Sequence, residues 1–226
     1  MAGFEVVARV AHPELGLLAP DQFLKGADED DLLKLSHLAP VTALKASAHF
    51  RQSGVALVLA INISVENLLR LPIADLVAVH RPPDNDWPGL LLEVPQRQVV
   101  NKIELLKSRF LKLKQSGVLI AIDNFGRGST SLDILNQIPF AEVKIDCELM
   151  ENCAADAGKA NICRTLIQMA RNFGSQAVAI GISSEADLRM IRNLGCDMGQ
   201  GFLLGKPMDA QRIDALIASF KSQKTA

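Results

Sequence analysis

The chain has 226 residues, 49% of them hydrophobic and 22% charged, with a formal net charge of −1. This is the profile of a globular chain with a large core. The near-zero charge argues against a broad surface for nucleic-acid polymers, which needs clustered Lys and Arg, but not against a site for a small anion. A strand over residues 4–10 opens the chain, and a helix over 32–52 leads to a strand over 55–62. The stretch His80 to Gly89 (HRPPDNDWPG) is a surface loop by composition. A strand over 90–94 is followed by a helix over 98–116, whose Ile103, Leu106, Phe110 and Leu113 recur at helical spacing. Strands over 118–123 and 141–145 come next, then a helix over 160–173 and a strand over 177–181. A helix over 185–194, a strand over 199–203 and a helix over 209–220 complete the pattern. Gly117, Gly174 and Gly195 sit just past helices, where tolerance of positive φ ends them.

Strands this rich in apolar residues suit a parallel sheet covered on both faces. Alternation with helices makes the fold class α/β, either an open sheet or a closed barrel. No GxGxxG or GxxxxGK[ST] turn follows the first strand, which disfavours dinucleotide and P-loop folds. Seven strands are counted where a (β/α)8 TIM-like barrel needs eight, so the first is missing or supplied from upstream. No linker divides residues 1–226, and one domain is expected. No apolar stretch approaches the ~20 residues of a membrane span, and the start lacks the features of a signal peptide. Cys147, Cys153, Cys163 and Cys196 form no CxxC pair and no zinc spacing. Reduced thiols in a cytoplasmic protein are expected.

Several strands end in a polar residue: Asn62, Glu93, Asp123, and Lys144 with Asp146, while Glu5 lies in the first strand and Gln200 in the last. In a barrel of parallel strands these ends surround one mouth, where barrel enzymes keep their chemistry. Oxygen donors from Glu5, Asn62, Glu93 and Asp123 would suit Mg²⁺, Mn²⁺ or Ca²⁺. Lys144 could hold a phosphate or lower the pKa of a water. Each residue alone has an ordinary reading: a helix cap for an acid, a turn for Asn62, a surface position for Lys144. Independent capping does not predict so many on successive strands.

The ordered set resembles the EAL domain family, whose active members hydrolyse the bacterial second messenger cyclic-di-GMP. GFEVVARV looks like the signature strand, with Glu5 and Arg9 at its Glu and Arg. Gly16, Pro20 and Phe23 match the next loop, AINIS the Asn strand, and LEVPQ the LExTE segment. IDNFGRGSTSL matches the DDFGTGxSSL loop, and VKID matches at Lys144 and Asp146. AVAIGISS aligns with AEGVE, and GCDMGQGFLLGKP with the closing run at Gln200, Gly201, Phe202 and Pro207.

The resemblance implies a first metal site at Glu5, Asn62, Glu93 and Asp123, with Asp146 as the remnant of a second. Asn124 stands for the family's second Asp. Ile180 replaces a Glu at the general-base position, leaving Lys144 as the catalytic remnant. Ser183 and Gln96 replace two further Glu residues. A degenerate, inactive domain in bacterial signalling is expected, acting as a cyclic-di-GMP receptor through Arg9, Phe23, Asn62, Glu93, Asp123, Lys144, Gln200, Gly201 and Phe202. Arg9 would contact phosphate or a guanine edge, and Phe23 and the Gln200–Phe202 segment would pack a base. An ion pair of Arg9 with Glu5 or Glu14, and core packing of Phe23, are the ordinary alternatives. Uncompensated carboxylates repel phosphate, so binding calls for one bound cation or a shifted pose. The other readings are a scaffold that no longer binds nucleotide and needs no cofactor, and a weakly active Mg- or Mn-dependent phosphodiesterase. A barrel enzyme acting on a phosphorylated metabolite is the last alternative, with GQGFLLGKP a poor phosphate turn. Arg127 and Ser129 alter a loop that resembles the family's dimer-coupling element, so a homodimer or a protein partner is anticipated. The family's usual upstream strand with a Gln-Pro step is absent, and an upstream sensory domain is expected.

Overall fold

A computed structural model describes residues 3–127 and 133–224. Seven parallel strands form one sheet in chain order: β1 (Gly3–Val6), β4 (Val58–Asn62), β5 (Leu90–Pro95), β6 (Val118–Phe125), β7 (Glu142–Ile145), β8 (Gln176–Ala179) and β9 (Met198–Gly199). Two further strands, β2 (Val10–His12) and β3 (Gly16–Leu18), form a separate antiparallel hairpin. Short α1 (Pro20–Phe23) and long α2 (Glu29–Gln52) lead into β4; α3 (Val65–Arg70) and α4 (Ile73–His80) follow it. Next come α5 (Gln96–Val99) and α6 (Ile103–Gln115) before β6, and α7 (Asp133–Gln137) before β7. The chain continues through α8 (Cys147–Met150) and α9 (Ala157–Asn172), α10 (Glu185–Asn193) before β9, and α11 (Ala210–Lys224). Among the described residues no helix is long and apolar enough to cross a membrane.

Side-chain alternation splits the sheet into two faces. Phe4, Leu59, Ile61, Leu90, Leu92, Val118, Ile120, Ile122, Val143, Ile145, Ala177 and Ala179 face the helices and join the main core. The opposite face carries a small cluster of Ala60, Leu91 and Ala121, with Val58, Leu119 and Ala141 beside it. Glu5, Asn62, Glu93, Asp123 and Lys144 share that inner face. Lys144 lies opposite Val178 in register, so Val178 and the next residue of that parity, Ile180, face the same way. The inner face is therefore small and apolar below and polar at the C-terminal ends of the strands.

β1 pairs with β4 and β9 with β8, and no described ladder joins β1 to β9. The sheet nevertheless curves far enough for the Gln200 Nε2 to donate to the Glu5 Oε2 at 2.6 Å. The result is a barrel with one open seam, bridged at its mouth by a side-chain bond.

The helices start where their capping residues stand. Asp28, Asp156 and Ser184 accept from backbone N–H groups of the first turns of α2, α9 and α10. Asp28 thus starts α2 three residues before the apolar periodicity does. Gly117, Gly174 and Gly195 have φ of 79°, 75° and 80°, as the helix ends require. The strand expected over 4–10 stops at Val6. Residues 7–9 leave the sheet, and His12 Nδ1 accepts from the Glu14 and Leu15 N–H groups to tighten the hairpin turn. Arg9 is therefore off the barrel strand. The strand expected over 199–203 shortens to Met198–Gly199, because the Leu204 and Gly205 N–H groups both bond the Gly201 carbonyl and turn the chain.

Gly201 makes that turn possible. The Ile182 N–H donates to the Gln200 carbonyl at 3.0 Å, and the Leu203 N–H to the Ile182 carbonyl at 3.2 Å. A Cβ on Gly201 would overlap the backbone of Ile182. Gly201→Ala is expected to cost about 1–3 kcal/mol by overpacking. Chemical denaturation measures this, and an unchanged midpoint would contradict the close approach.

Candidate functional site

The mouth is organised around a buried ammonium. Lys144 has 4% of its side chain exposed, and its Nζ lies 2.5 Å from the Glu93 Oε2 and 3.5 Å from the Glu5 Oε2. The Glu93 side chain is 3% exposed. Glu5 also accepts from the Asn62 Nδ2 at 2.5 Å and from the Gln200 Nε2 at 2.6 Å. Asp123 accepts from the Asn124 side-chain amide. Strands β1, β4, β5 and β7 thus each place one polar side chain in a bonded cluster that Gln200 closes from beyond β9, and Asp123 on β6 lies within electrostatic reach of Lys144.

Three carboxylates against one ammonium leave negative charge in surplus, and the proton affinities reflect it. Burial pushes the Glu93 carboxyl up to about 7, with Glu5 and Asp123 adding to the shift and Lys144 opposing it. Asp123 is raised by burial, with Lys144 opposing and Glu5 and Asp146 adding. Burial also acts to raise Glu5, but the Lys144 charge and bonds from Gln200 and Asn62 outweigh it and hold Glu5 below its usual value. Burial acts to lower Lys144, yet Glu93 and Glu5 keep its ammonium above the ordinary lysine range. Glu142, on the same inner face, is raised by its burial. The sequence reading missed Glu142, although its spacing of two from Lys144 in EVKI signals a shared face.

Around this cluster stand the altered positions. Asn124 has φ 55°, a left-handed conformation that Asn tolerates, and it turns its amide back onto Asp123. Asp146 is 1% exposed; its Oδ1 caps α8 through the Glu148 N–H, and its Oδ2 has no hydrogen-bond partner among the described residues. Ile180 brings a half-buried hydrocarbon to the Val178 side of the strand end. Gln96 is buried and accepts from the Gly126 N–H at 3.1 Å, anchoring the loop after β6. Arg127 pairs with Glu148 at 2.7 Å. Ser129 lies outside the described residues.

Not every expected residue joins the cluster. Arg9 donates to the carbonyl of Ala8 at 2.8 Å and forms no ion pair with Glu5 or Glu14 among the described residues. Phe23 is half-buried and lines a cleft with Val10, Leu24, Ala27, Leu32 and Leu35 under the hairpin. Phe202 is 68% exposed beside the cluster's Gln200, and Gly201 is held against Ile182.

Among the described residues no three His, Cys, Asp or Glu side chains close on a common point as metal ligands. Glu5 and Glu93 turn to Lys144 instead. The donor set of Glu5, Asn62, Glu93 and Asp123 is hard and all-oxygen, and its charge exceeds that of Lys144. That chemistry fits one dication of the Mg²⁺, Mn²⁺ or Ca²⁺ type.

Residues 1–207 match the EAL domain, and the chain belongs to that family. It is 31% identical over 221 residues to the bifunctional diguanylate cyclase/cyclic di-GMP phosphodiesterase MucR of Pseudomonas aeruginosa, covering 96% of this chain and 32% of the relative. It is 27% identical over 217 residues to the cyclic di-GMP phosphodiesterase RocR of the same organism, covering 93% of this chain and 54% of the relative. The chain spans about a third of the length of MucR. Among solved structures, the PaMucR phosphodiesterase in its c-di-GMP complex superimposes with a TM-score of 0.85 at 29% identity, covering 94% of this chain and 87% of the other. The EAL domain of Mycobacterium smegmatis DcpA gives a TM-score of 0.74 at 29% identity, over 84% and 86% of the two chains. The family match sets aside the unrelated barrel enzyme acting on a phosphorylated metabolite.

The Glu93 shift has a measurable consequence. The ordinary value is 4.5 and the folded value about 7, so the folded domain holds this proton more tightly than the unfolded chain. The stability this gives is fully present below pH 4.5 and is lost as pH rises through 7. The unfolding free energy of wild type relative to Glu93→Gln is therefore expected to fall between pH 4.5 and 8, by up to about 3 kcal/mol. Denaturant titrations across that range check it; a flat difference would contradict a high-pKa Glu93.

Proposed function

We propose that this EAL domain binds cyclic-di-GMP and retains it without efficient hydrolysis. Support for the ligand comes from relatives whose names state cyclic di-GMP chemistry and from the fit to a domain complexed with it. Support for weak hydrolysis comes from one contact, the amide of Asn124 on the carboxylate of Asp123. Two-metal hydrolysis uses cations ~3.5–4 Å apart to stabilise the attacking and leaving oxygens together. Such a pair needs closely spaced anions to offset its charge. Two adjacent aspartates would repel until a second cation arrived. The Asn–Asp pair satisfies itself, so the drive to bind that cation is lost.

Ile180 acts in the same direction. A hydrocarbon can neither take a proton nor orient a water, and losing a general base costs about 10²–10⁴ in rate. The first-site donors remain, and one dication with Lys144 would neutralise the three carboxylates so that they no longer repel the dianion. Phe202, exposed next to Gln200, offers a flat apolar surface to a guanine.

Calorimetric titration with cyclic-di-GMP, with and without Mg²⁺, beside a hydrolysis assay, tests the reading. Binding at about micromolar Kd or tighter is expected, with turnover at least about 10²-fold below active EAL domains. In the same assay, Asn124→Asp with Ile180→Glu is expected to raise Mn²⁺-dependent turnover. Silence in the titration would favour a scaffold that has lost the nucleotide. Wild-type turnover equal to that of active relatives would overturn the proposal.

A further inference from the structure

We infer that Lys144 is an exchangeable counter-ion: its ammonium neutralises the acid cluster in the cation-free domain and is displaced when a dication enters. The inference rests on the receptor reading above for the identity of the site, but on separate observations for the exchange.

The first observation is occupancy. The Lys144 Nζ bridges Glu93 and Glu5 from inside the cluster, and these are two of the three carboxylates a dication would need. A dication cannot take both carboxylates while the ammonium stays between them, because like charges at contact distance in a buried site repel strongly. The second is charge. Glu5, Glu93 and Asp123 share one ammonium, so the cluster keeps a surplus that one dication would neutralise. The third is surroundings. Lys144 is nearly fully buried, and its neighbour in register on the inner face of β8 is Val178, which offers no other acceptor. The ammonium thus has the acids or an incoming anion as partners, and little else.

Two consequences follow from the exchange. Cation binding is weakened in the wild type by the work of displacing Lys144. The displaced ammonium then offers three N–H donors beside the cation, where a phosphate would sit. A permanent ion pair predicts neither.

The test is Mn²⁺ affinity, read by calorimetry on the whole domain without nucleotide, for wild type, Lys144→Met and Lys144→Arg. Methionine keeps the apolar stem and removes the competing charge. Lys144→Met is expected to bind Mn²⁺ roughly 10–100-fold more tightly than wild type and to melt at a lower temperature when cation-free. Arginine grips carboxylates bidentately, so Lys144→Arg is expected to bind Mn²⁺ more weakly than wild type. If Lys144→Met is unfolded without cation, circular dichroism should show it folding as Mn²⁺ is added. Remaining unfolded in saturating Mn²⁺, an affinity equal to or weaker than wild type, or no Mn²⁺ binding by either protein would each overturn the exchange. A wild type that fails to bind cyclic-di-GMP while these Mn²⁺ affinities hold would overturn the receptor reading and support the exchange alone.

Discussion

The mouth of this barrel is governed by an imbalance of charge. Glu5, Glu93 and Asp123 sit in a poorly solvated site with Lys144 as their cationic partner. Burying an unpaired carboxylate costs several kcal/mol, and the chain manages that cost in three ways. Lys144 takes Glu93 at contact distance. Asn62, Gln200 and Asn124 supply neutral amide donors to Glu5 and Asp123. Glu93 meets the remainder by holding its proton to about pH 7. A site so arranged has the hard oxygen donors and the surplus negative charge that one dication would need.

The fold makes this concentration possible. Parallel strands point their C-terminal ends the same way, and strict alternation brings one inner residue from each to the same mouth. The outer face is secured by a continuous apolar core against the helices. The inner face needs only the small cluster of Ala60, Leu91 and Ala121 beneath the polar layer. At the seam between β1 and β9, the bond from Gln200 to Glu5 ties a polar site residue to barrel closure. Glu5 therefore serves both the architecture and the site.

Much of this was legible in the sequence. Apolar runs located all seven parallel strands, and the polar residues that close them meet at the mouth, except Asp146, which caps α8. What escaped has physical reasons. The two short helices after β4 are divided by Pro72, and neither is long enough to display a period. Arg9 reads as part of the first strand because ARV is as strand-prone as FEV, but a tertiary hairpin claims it. That Asn62, Gln200 and Lys144 would spend their donors on Glu5 and Glu93 is a matter of side-chain geometry, which residue order does not encode. Glu142 was missed because it begins its strand rather than ending it.

Of the altered positions, Asn124 in β6 and Ile180 just past β8 flank β7 and its Lys144. Glu5, Asn62 and Glu93 themselves are retained. On the proposed reading, the Glu5, Asn62 and Glu93 half holds the ligand and the other half lacks the groups that cut. A crystal structure grown with Mn²⁺ and cyclic-di-GMP tests this division most directly. One Mn²⁺ among Glu5, Asn62, Glu93 and Asp123, with the dinucleotide intact, is expected. Two Mn²⁺ ions beside a cleaved linear product would contradict it.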